Sequence, residues 1–304
     1  MARLRTLPKV RDSISFLYFE HCRIEQDMHS IAVFQKDTCY RIPCANIRTL
    51  MLGPGTCITH AAVKSLTESA CEVQWVGEDV LKFYAGGRGA SSNTERLMHQ
   101  AGMWADSMKR LGVVRHMYLT RFDEPLKEDL TLQQVRGLEG VRMRSLYQRL
   151  SQETGVEWKG RDYKVENWDD SDEINKALSI ANACLYSVCQ AALTSVGYSP
   201  GLGFVHTGKP LSFVYDVADL YKAETSIPAA FEAVSATYFD LNEVVRRKCR
   251  EKFQGIKLMK KIIPDVDRLL LFRGDDESVV PECYLWDNHI DRVEGGKDWS
   301  EIGE

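Results

Sequence analysis

Two regimes of hydrophobic spacing divide this chain. Up to about residue 88 the apolar positions come in short runs rich in β-branched and aromatic residues, at Ile14 to Phe19, Ser30 to Phe34, Cys39 to Ile42 and Val73 to Val76. Polar or Gly/Pro segments separate them, and this pattern predicts strands. Gly53-Pro54-Gly55 marks a turn, and Thr59 to Ala70 predicts one short helix between strands. Gly86 to Asn93 combines glycine freedom with small polar side chains that have nothing to bury, so the linker and the domain boundary are expected there.

Beyond that stretch the spacing turns helical. Thr131 with Gln134 forms a capping box, and Val135, Leu138, Leu146 and Leu150 recur at helical intervals up to Gly155, a C-terminal stop. Glu139 sits beside that apolar stripe. A second helix is expected from near Asp170, with Glu173 completing a cap, and carries Ile174, Leu178, Ala181, Leu185, Val188 and Val196 before Gly197. A third is expected from near Pro210, carrying Leu211, Val214, Val217 and Tyr221. Further helical turns run through Ile263, and from Gly274 the chain is acidic and aperiodic. The expected fold class is therefore α+β, an N-terminal β-rich domain (residues 1–88) followed by a larger all-α catalytic domain (89–274) and an acidic tail (275–304).

Composition narrows this picture without redirecting it. The chain has 304 residues, 44% of them hydrophobic, enough for two cores. No apolar run approaches the roughly 18 residues of a membrane span, and Met1 to Pro8 has no signal-like stretch, so a cytoplasmic protein with no membrane partner is expected. The nine cysteines include no Cys-x-x-Cys pair, which favours reduced thiols over disulfides or cysteine-bound zinc. A formal net charge of −4 argues against coating nucleic acid by bulk attraction, although a local basic face can still grip phosphate.

The densest chemistry lies between Gly203 and Lys222, where His206, Asp216 and Asp219 fall within a few turns of one another. In a helix Asp216 and Asp219 stand at i and i+3, on one face, and Lys222 extends the same row. One imidazole with several carboxylates suits Mg²⁺ or Mn²⁺ better than a thiolate-seeking metal. On pattern alone such a pair is more often a solvated helix face, and His206 alone fits a structural histidine. Glu139 is flanked by Gly137 and Gly140, each costing roughly 1 kcal/mol in a helix interior against alanine. Close packing of another helix and access for a metal or phosphate both explain them.

The segments Leu138 to Arg142, Gly155 to Tyr163, Asn182 to Tyr186 and Gly203 to Lys222 resemble the CRISPR-associated Cas-one family, subtype I-E, in the family's order. The likeness runs from about Arg11 through Ile263, leaving the tail outside it. The resemblance implies a β-domain that mediates homodimerisation and a helical domain that holds one divalent metal on Glu139, His206 and Asp219. Asp216, Tyr186 and Lys222 match residues at or beside that site, though Tyr186 also suits ordinary core packing. The implied reaction is transesterification, in which the 3′-hydroxyl of a captured DNA fragment attacks a phosphodiester at the edge of a CRISPR repeat. The implied partners are double-stranded DNA and the small companion protein Cas-two.

For DNA contact, the resemblance points to Arg136, Tyr163 and Lys209 near the strand end, and to Arg246 and Arg250 within a basic run that continues to Lys261. Without it, that run reads as a solvated face. His21 replaces the family's usual wedge tyrosine, and Lys82 replaces a common arginine, giving a point charge for a planar fork. Two other readings remain open: a structure-selective nuclease for branched DNA repair intermediates, and a catalytically degenerate DNA-binding scaffold.

Overall fold

A computed structural model describes residues 14–36, 38–88, 93–122, 124–127, 129–161, 172–236, 240–272, 284–285 and 293–294. The N-terminal half forms two four-stranded sheets with one helix. Strands β1 (Ile14–Phe19), β5 (Ile47–Leu52), β7 (Glu72–Val76) and β8 (Phe83–Gly87) pair in the order β1-β5-β7-β8. The β1–β5 and β5–β7 pairs are parallel, and β8 is antiparallel to β7. The second sheet has the order β4-β3-β2-β6, from β2 (Arg23–Asp27), β3 (Ser30–Gln35), β4 (Thr38–Pro43) and β6 (Cys57–Ile58). Between β6 and β7 lies α1 (His60–Glu68), N-capped by the Thr59 hydroxyl, which accepts from the Ala62 N–H. Ile24, Ile31, Val33, Ile47, Leu50, Ala62, Leu66 and Val73 fill the space among them.

The four expected strands are present, and so is the helix after Thr59. Strand β8 ends at Gly87, so it uses the first two glycines of the expected linker. Residues 89–92 lie outside the description.

The helical half comprises α2 (Glu95–Ala105), α3 (Ser107–Leu119), α4 (Leu132–Thr154), α5 (Glu173–Ser195), α6 (Ser212–Ala218), α7 (Ser226–Ala236), α8 (Leu241–Gly255) and α9 (Leu258–Leu269). The Thr131–Gln134 capping box is complete, and Gly155 ends α4 in the left-handed region that glycine tolerates. Helix α5 is the axis of this half. Its residues Leu178, Ala181, Leu185, Cys189 and Ala192 are fully or almost fully buried among α6, α7, α8 and α9. It is also long and apolar enough to cross a membrane, but 56% of its apolar window is buried inside the protein, as in a core helix. The remaining described residues, Tyr284–Leu285 and Val293–Glu294, pair antiparallel in the acidic tail.

The first sheet packs directly on α5. Gln74 of β7 donates to the Ala191 carbonyl (2.9 Å), to the Thr194 hydroxyl (3.1 Å) and to the Glu72 carboxylate (2.8 Å). Glu72 is 2% exposed, and burial raises its pKa to about 7 against the pull of Gln74, Arg88 and Thr194. A carboxyl pKa raised from 4.5 means the folded state keeps a proton that the unfolded chain has already lost. Stability therefore falls as pH rises from about 4.5 to about 7 and stays reduced above that, by on the order of 3 kcal/mol. Glu72→Gln should flatten this slope and raise stability at pH 8 by about 2 kcal/mol. Urea unfolding at several pH values checks it; a wild-type slope kept intact in the variant would refute the assignment.

Candidate functional site

Asp216 organises the site. It is fully buried on α6, and its carboxylate accepts three backbone N–H groups of the loop before the helix: Phe204 (2.6 Å), Val205 (3.0 Å) and His206 (2.9 Å). The same carboxylate meets the His206 ring at Nδ1, 2.7 Å away. With Nδ1–H donating to Asp216, the neutral ring is held in one tautomer and Nε2 keeps its lone pair free. The His206 side chain is 44% exposed, so this nitrogen is open to an incoming group.

The pairing of Asp216 and Asp219 on one helical face is corrected by the structure. Helix α6 starts at Ser212, two residues after Pro210, and ends at Ala218; Asp219 is its C-terminal cap, and turns follow to Thr225. Asp216 points back into the loop, while Asp219 faces Lys222 Nζ (2.6 Å) and Arg121 (3.7 Å). The hydrogen-bonding demand of a buried loop backbone wins over the simple helical row.

Glu139 is 8% exposed on α4 and accepts from Nε and Nη2 of Arg142, at 2.8 and 3.0 Å. Arg121, just past α3, lies 3.6 Å from Glu139 and 3.7 Å from Asp219, so one buried guanidinium bridges two of the expected ligands. Among the described residues no three His, Cys, Asp or Glu side chains converge tightly enough to hold a metal ion. Arg121 lies between the Glu139 and Asp219 carboxylates and offsets their mutual repulsion. The donor types, two carboxylates that face Arg121 and an imidazole within charge range of Asp219, fit Mg²⁺ or Mn²⁺.

Tyr186, Lys222 and Tyr215 complete the wall. Tyr186 on α5 meets Tyr215 edge-on at 4.9 Å, Tyr215 meets His206 at 5.9 Å, and the Lys222 ammonium lies 5.1 Å over the Tyr186 ring. Burial pulls the Lys222 pKa down, but Asp219 and Tyr186 outweigh it and the net shift is upward, keeping the ammonium charged. For His206 the Asp216 hydrogen bond raises the pKa, burial opposes it, and Asp219 and Asp216 add to the rise against Lys222. The protonated form therefore persists above the ordinary 6.5, and a proton competes with ligation up to that higher pH. Asp216→Asn should move the acid limb of activity to lower pH and lower its plateau, since the loop loses charge-assisted bonds. A pH profile checks this; an unmoved limb would count against the role given to Asp216.

Several supports left little trace in the sequence. Gln100 of α2, fully buried, donates to the Ser199 and Leu202 carbonyls and accepts from the Ser199 N–H, and Trp104 donates to the Gly203 carbonyl. They hold the His206 loop from outside. Arg121 was also missed, because a lone arginine after a helix has no motif. Among the described residues Gly137 has no atom within 4 Å of where a Cβ would stand and Gly140 has only the Arg144 side chain at 3.5 Å, so no described helix packs on either.

The expected DNA contacts are scattered. Arg136, Lys209, Lys82 and His21 are exposed, and so is Arg246 on α8. His21 carries a positive φ of 48° in the turn after β1. Arg250 is committed to Glu78 (3.0 Å) and Asp79 (2.5 Å), though exposed pairs of this kind are worth only about 0–1 kcal/mol and exchange readily. Tyr163 lies outside the described residues.

A family model described as "CRISPR associated protein Cas1" matches residues 117–240, the span that carries Glu139, His206 and Asp219. The chain is 47% identical over 302 residues to the CRISPR-associated endonuclease Cas1 2 of Thermus thermophilus, covering 96% of this chain and 92% of that one. The chain belongs to the CRISPR-associated Cas1 (Cas-one) family. It is also 37% identical over 262 residues to the CRISPR-associated endonuclease Cas1 of Escherichia coli, covering 86% of each. Among solved structures, the TtCas1–DNA complex superposes with a TM-score of 0.81 at 47% identity, covering 88% of this chain and all of that one. The Cas1 fold thus carries the β-sheet region before the helical region.

Proposed function

We propose that this member of the Cas1 family is a divalent-metal-dependent DNA endonuclease and integrase of CRISPR adaptation, which joins a captured DNA fragment to a CRISPR repeat by transesterification. The reading is carried by one observation: Glu139 and Asp219 both face the Arg121 guanidinium, and His206, oriented by Asp216, lies within charge range of Asp219. The relatives named as endonucleases and the DNA complex of one of them support it. The preserved set of acidic and imidazole donors favours an enzyme over a degenerate scaffold.

Glu139, His206 and Asp219 would hold Mg²⁺ or Mn²⁺, which when bound neutralises phosphate charge and supplies Lewis acidity. The chain's own side chains orient the DNA around that centre. Lys222, kept charged, offsets negative charge growing on the phosphate oxygens, and Tyr186 and Tyr215 offer a phenolic and aromatic wall against the strand. Arg136, Lys209, Arg246 and Arg250, with Tyr163, His21 and Lys82, contact the DNA away from the metal, and the exposed positions among them suit phosphate attraction.

We further propose that the β-rich half mediates a homodimer and that the acidic tail, which lies mostly outside the described residues, engages the companion protein Cas-two. Cutting before Val279 should then abolish complex formation on gel filtration while sparing metal-dependent cleavage of branched DNA; an undiminished complex would sink the tail assignment. The function itself is tested by incubating the protein, purified Cas-two, a DNA fragment with free 3′-hydroxyls and a supercoiled repeat plasmid. Covalent joining at the repeat edge is the expected result. Cleavage of branched DNA with no joining would instead favour the repair-nuclease reading.

A further inference from the structure

The packing of α5 on α8 brings together two thiols that the metal centre does not use. Helix α8 buries one stripe, Val245, Cys249 and Phe253, which recur at four-residue intervals and so share a face. Helix α5 presents Ala181, Cys184, Leu185 and Val188 to the same core. Cys184 is 3% exposed and Cys249 is fully buried, and their thiols share a hydrogen bond. Where the two stripes meet, sulfur faces sulfur.

Their surroundings make the two thiols unequal. With the Cys249 S–H donating to it, and with the charges of Arg246 and Lys82 nearby, Cys184 is held below the ordinary thiol range although burial opposes this. The same hydrogen bond, together with burial, pushes Cys249 upward. A thiolate-prone sulfur beside a protonated one is the arrangement from which a disulfide forms, since the first attacks an oxidant and the second displaces the product. Cys22 and Cys57 differ in this respect. They adjoin through strand pairing, the Cys57 N–H donating to the Cys22 carbonyl at 2.9 Å, but the Cys22 thiol is directed to the Thr56 hydroxyl, 3.9 Å away.

We propose that Cys184 and Cys249 form an oxidisable dithiol, which hydrogen peroxide converts to a disulfide bridging α5 and α8. Local opening of the seam between the helices admits a molecule little larger than water, while bulkier oxidants stay out. The Cys184 thiolate attacks one peroxide oxygen and the O–O bond breaks. The departing hydroxide takes up the proton that the Cys184 thiol gave up and leaves as water, and Cys184 becomes a sulfenic acid. The Cys249 sulfur then attacks the Cys184 sulfur, the S–O bond breaks, and the second hydroxide leaves as water with the Cys249 proton. Two thiols are oxidised, one peroxide is reduced to two waters, and no further reactant enters. The bridge closes the stretch of chain that carries Tyr186, His206, Asp216, Asp219 and Lys222 into a covalent loop.

The test exposes the full-length protein to hydrogen peroxide in EDTA, once native and once unfolded in urea. Remaining thiols are then blocked with N-ethylmaleimide, and the protein is digested at acidic pH for peptide mass mapping. In the native sample the main disulfide should be a peptide linking Cys184 to Cys249, lighter by two hydrogens than its parts and lost on adding dithiothreitol. In Cys249→Ala the sulfenic acid at Cys184 has no thiol to displace it, so dimedone added at the quench should label Cys184 at least about tenfold more than in the wild type. Absence of the linked peptide from the native sample, at a dose that oxidises the exposed Cys39 and Cys57, would overturn the proposal. So would a link that forms in urea alone, or equal labelling of Cys184 in the two proteins. If Cys249→Ala does not fold, the native wild-type map decides. Neither metal nor DNA enters the readout, so a failure here leaves the integrase reading standing, and the reverse holds as well.

Discussion

Glu139→Ala, His206→Ala and Asp219→Ala should each reduce strand transfer by about a thousandfold or more, while the affinity for duplex DNA changes by less than about threefold. The asymmetry follows from where each quantity originates. Duplex affinity is a sum over lysine and arginine contacts to phosphate, and none of these three side chains is one of those lysines or arginines. The proposed reaction, by contrast, needs a cation held in one place, and a set of two carboxylates and one imidazole would leave no spare ligand. Removing a carboxylate also leaves Arg121 with a single partner, so the guanidinium is drawn onto the survivor and competes harder with a metal. Parallel measurements on folded variants check this, joining by gel and affinity by fluorescence anisotropy. A variant that loses both together would show that the residue acts through DNA binding or folding instead.

Gly203→Ala should be nearly as damaging although residue 203 touches no reacting group. A Cβ there would collide with the His206 carbonyl oxygen and stand 2.6 Å from the Ser212 side chain, where real contacts are never so short. Both neighbours belong to the structure that presents the imidazole: one is the backbone of His206, the other sits at the start of α6, four residues before Asp216. Relief requires the loop to move outward by an ångström or more, away from the three N–H groups that Asp216 satisfies. A displacement of that size at a catalytic group costs about a hundredfold in rate. Activity should fall by about that factor, with thermal stability lowered by a few degrees and the His206 imidazole signals in NMR shifted from their wild-type positions. Full activity in Gly203→Ala would mean that the loop is softer than its hydrogen bonding implies.

Much of the architecture is legible in the residues, and the exceptions have physical causes. The capping box at Thr131, the stop at Gly155 and the short helix after Thr59 are local chemistry and appear as expected. Strand β5 was not anticipated because Ile47 to Leu52 is buried on both faces, so its apolar residues run on instead of alternating. Strand β2 was missed for the opposite reason. Arg23-Ile-Glu-Gln-Asp27 is mostly polar, and it becomes a strand through its pairing with β3 along its whole length. Strand β8 uses glycines that read as a linker.

The site divides along the same line. Glu139, His206 and Asp219 stand out by residue type and by the family resemblance. What sets their geometry does not: Asp216 turned to the loop, Gln100 and Trp104 on another helix, and Arg121 between the carboxylates are tertiary facts with no sequence period. Gly137 and Gly140 show how such ambiguity narrows, since among the described residues no packed helix occupies the space beside them.

The most direct test of the central claim is a metal titration of strand transfer by the wild-type protein with its DNA substrates. Joining should vanish in excess EDTA and return on addition of Mn²⁺ or Mg²⁺, with Asp219→Ala staying inactive at metal concentrations that saturate the wild type. Joining that persists in EDTA, or an Asp219→Ala protein that joins DNA at the wild-type rate, would contradict it.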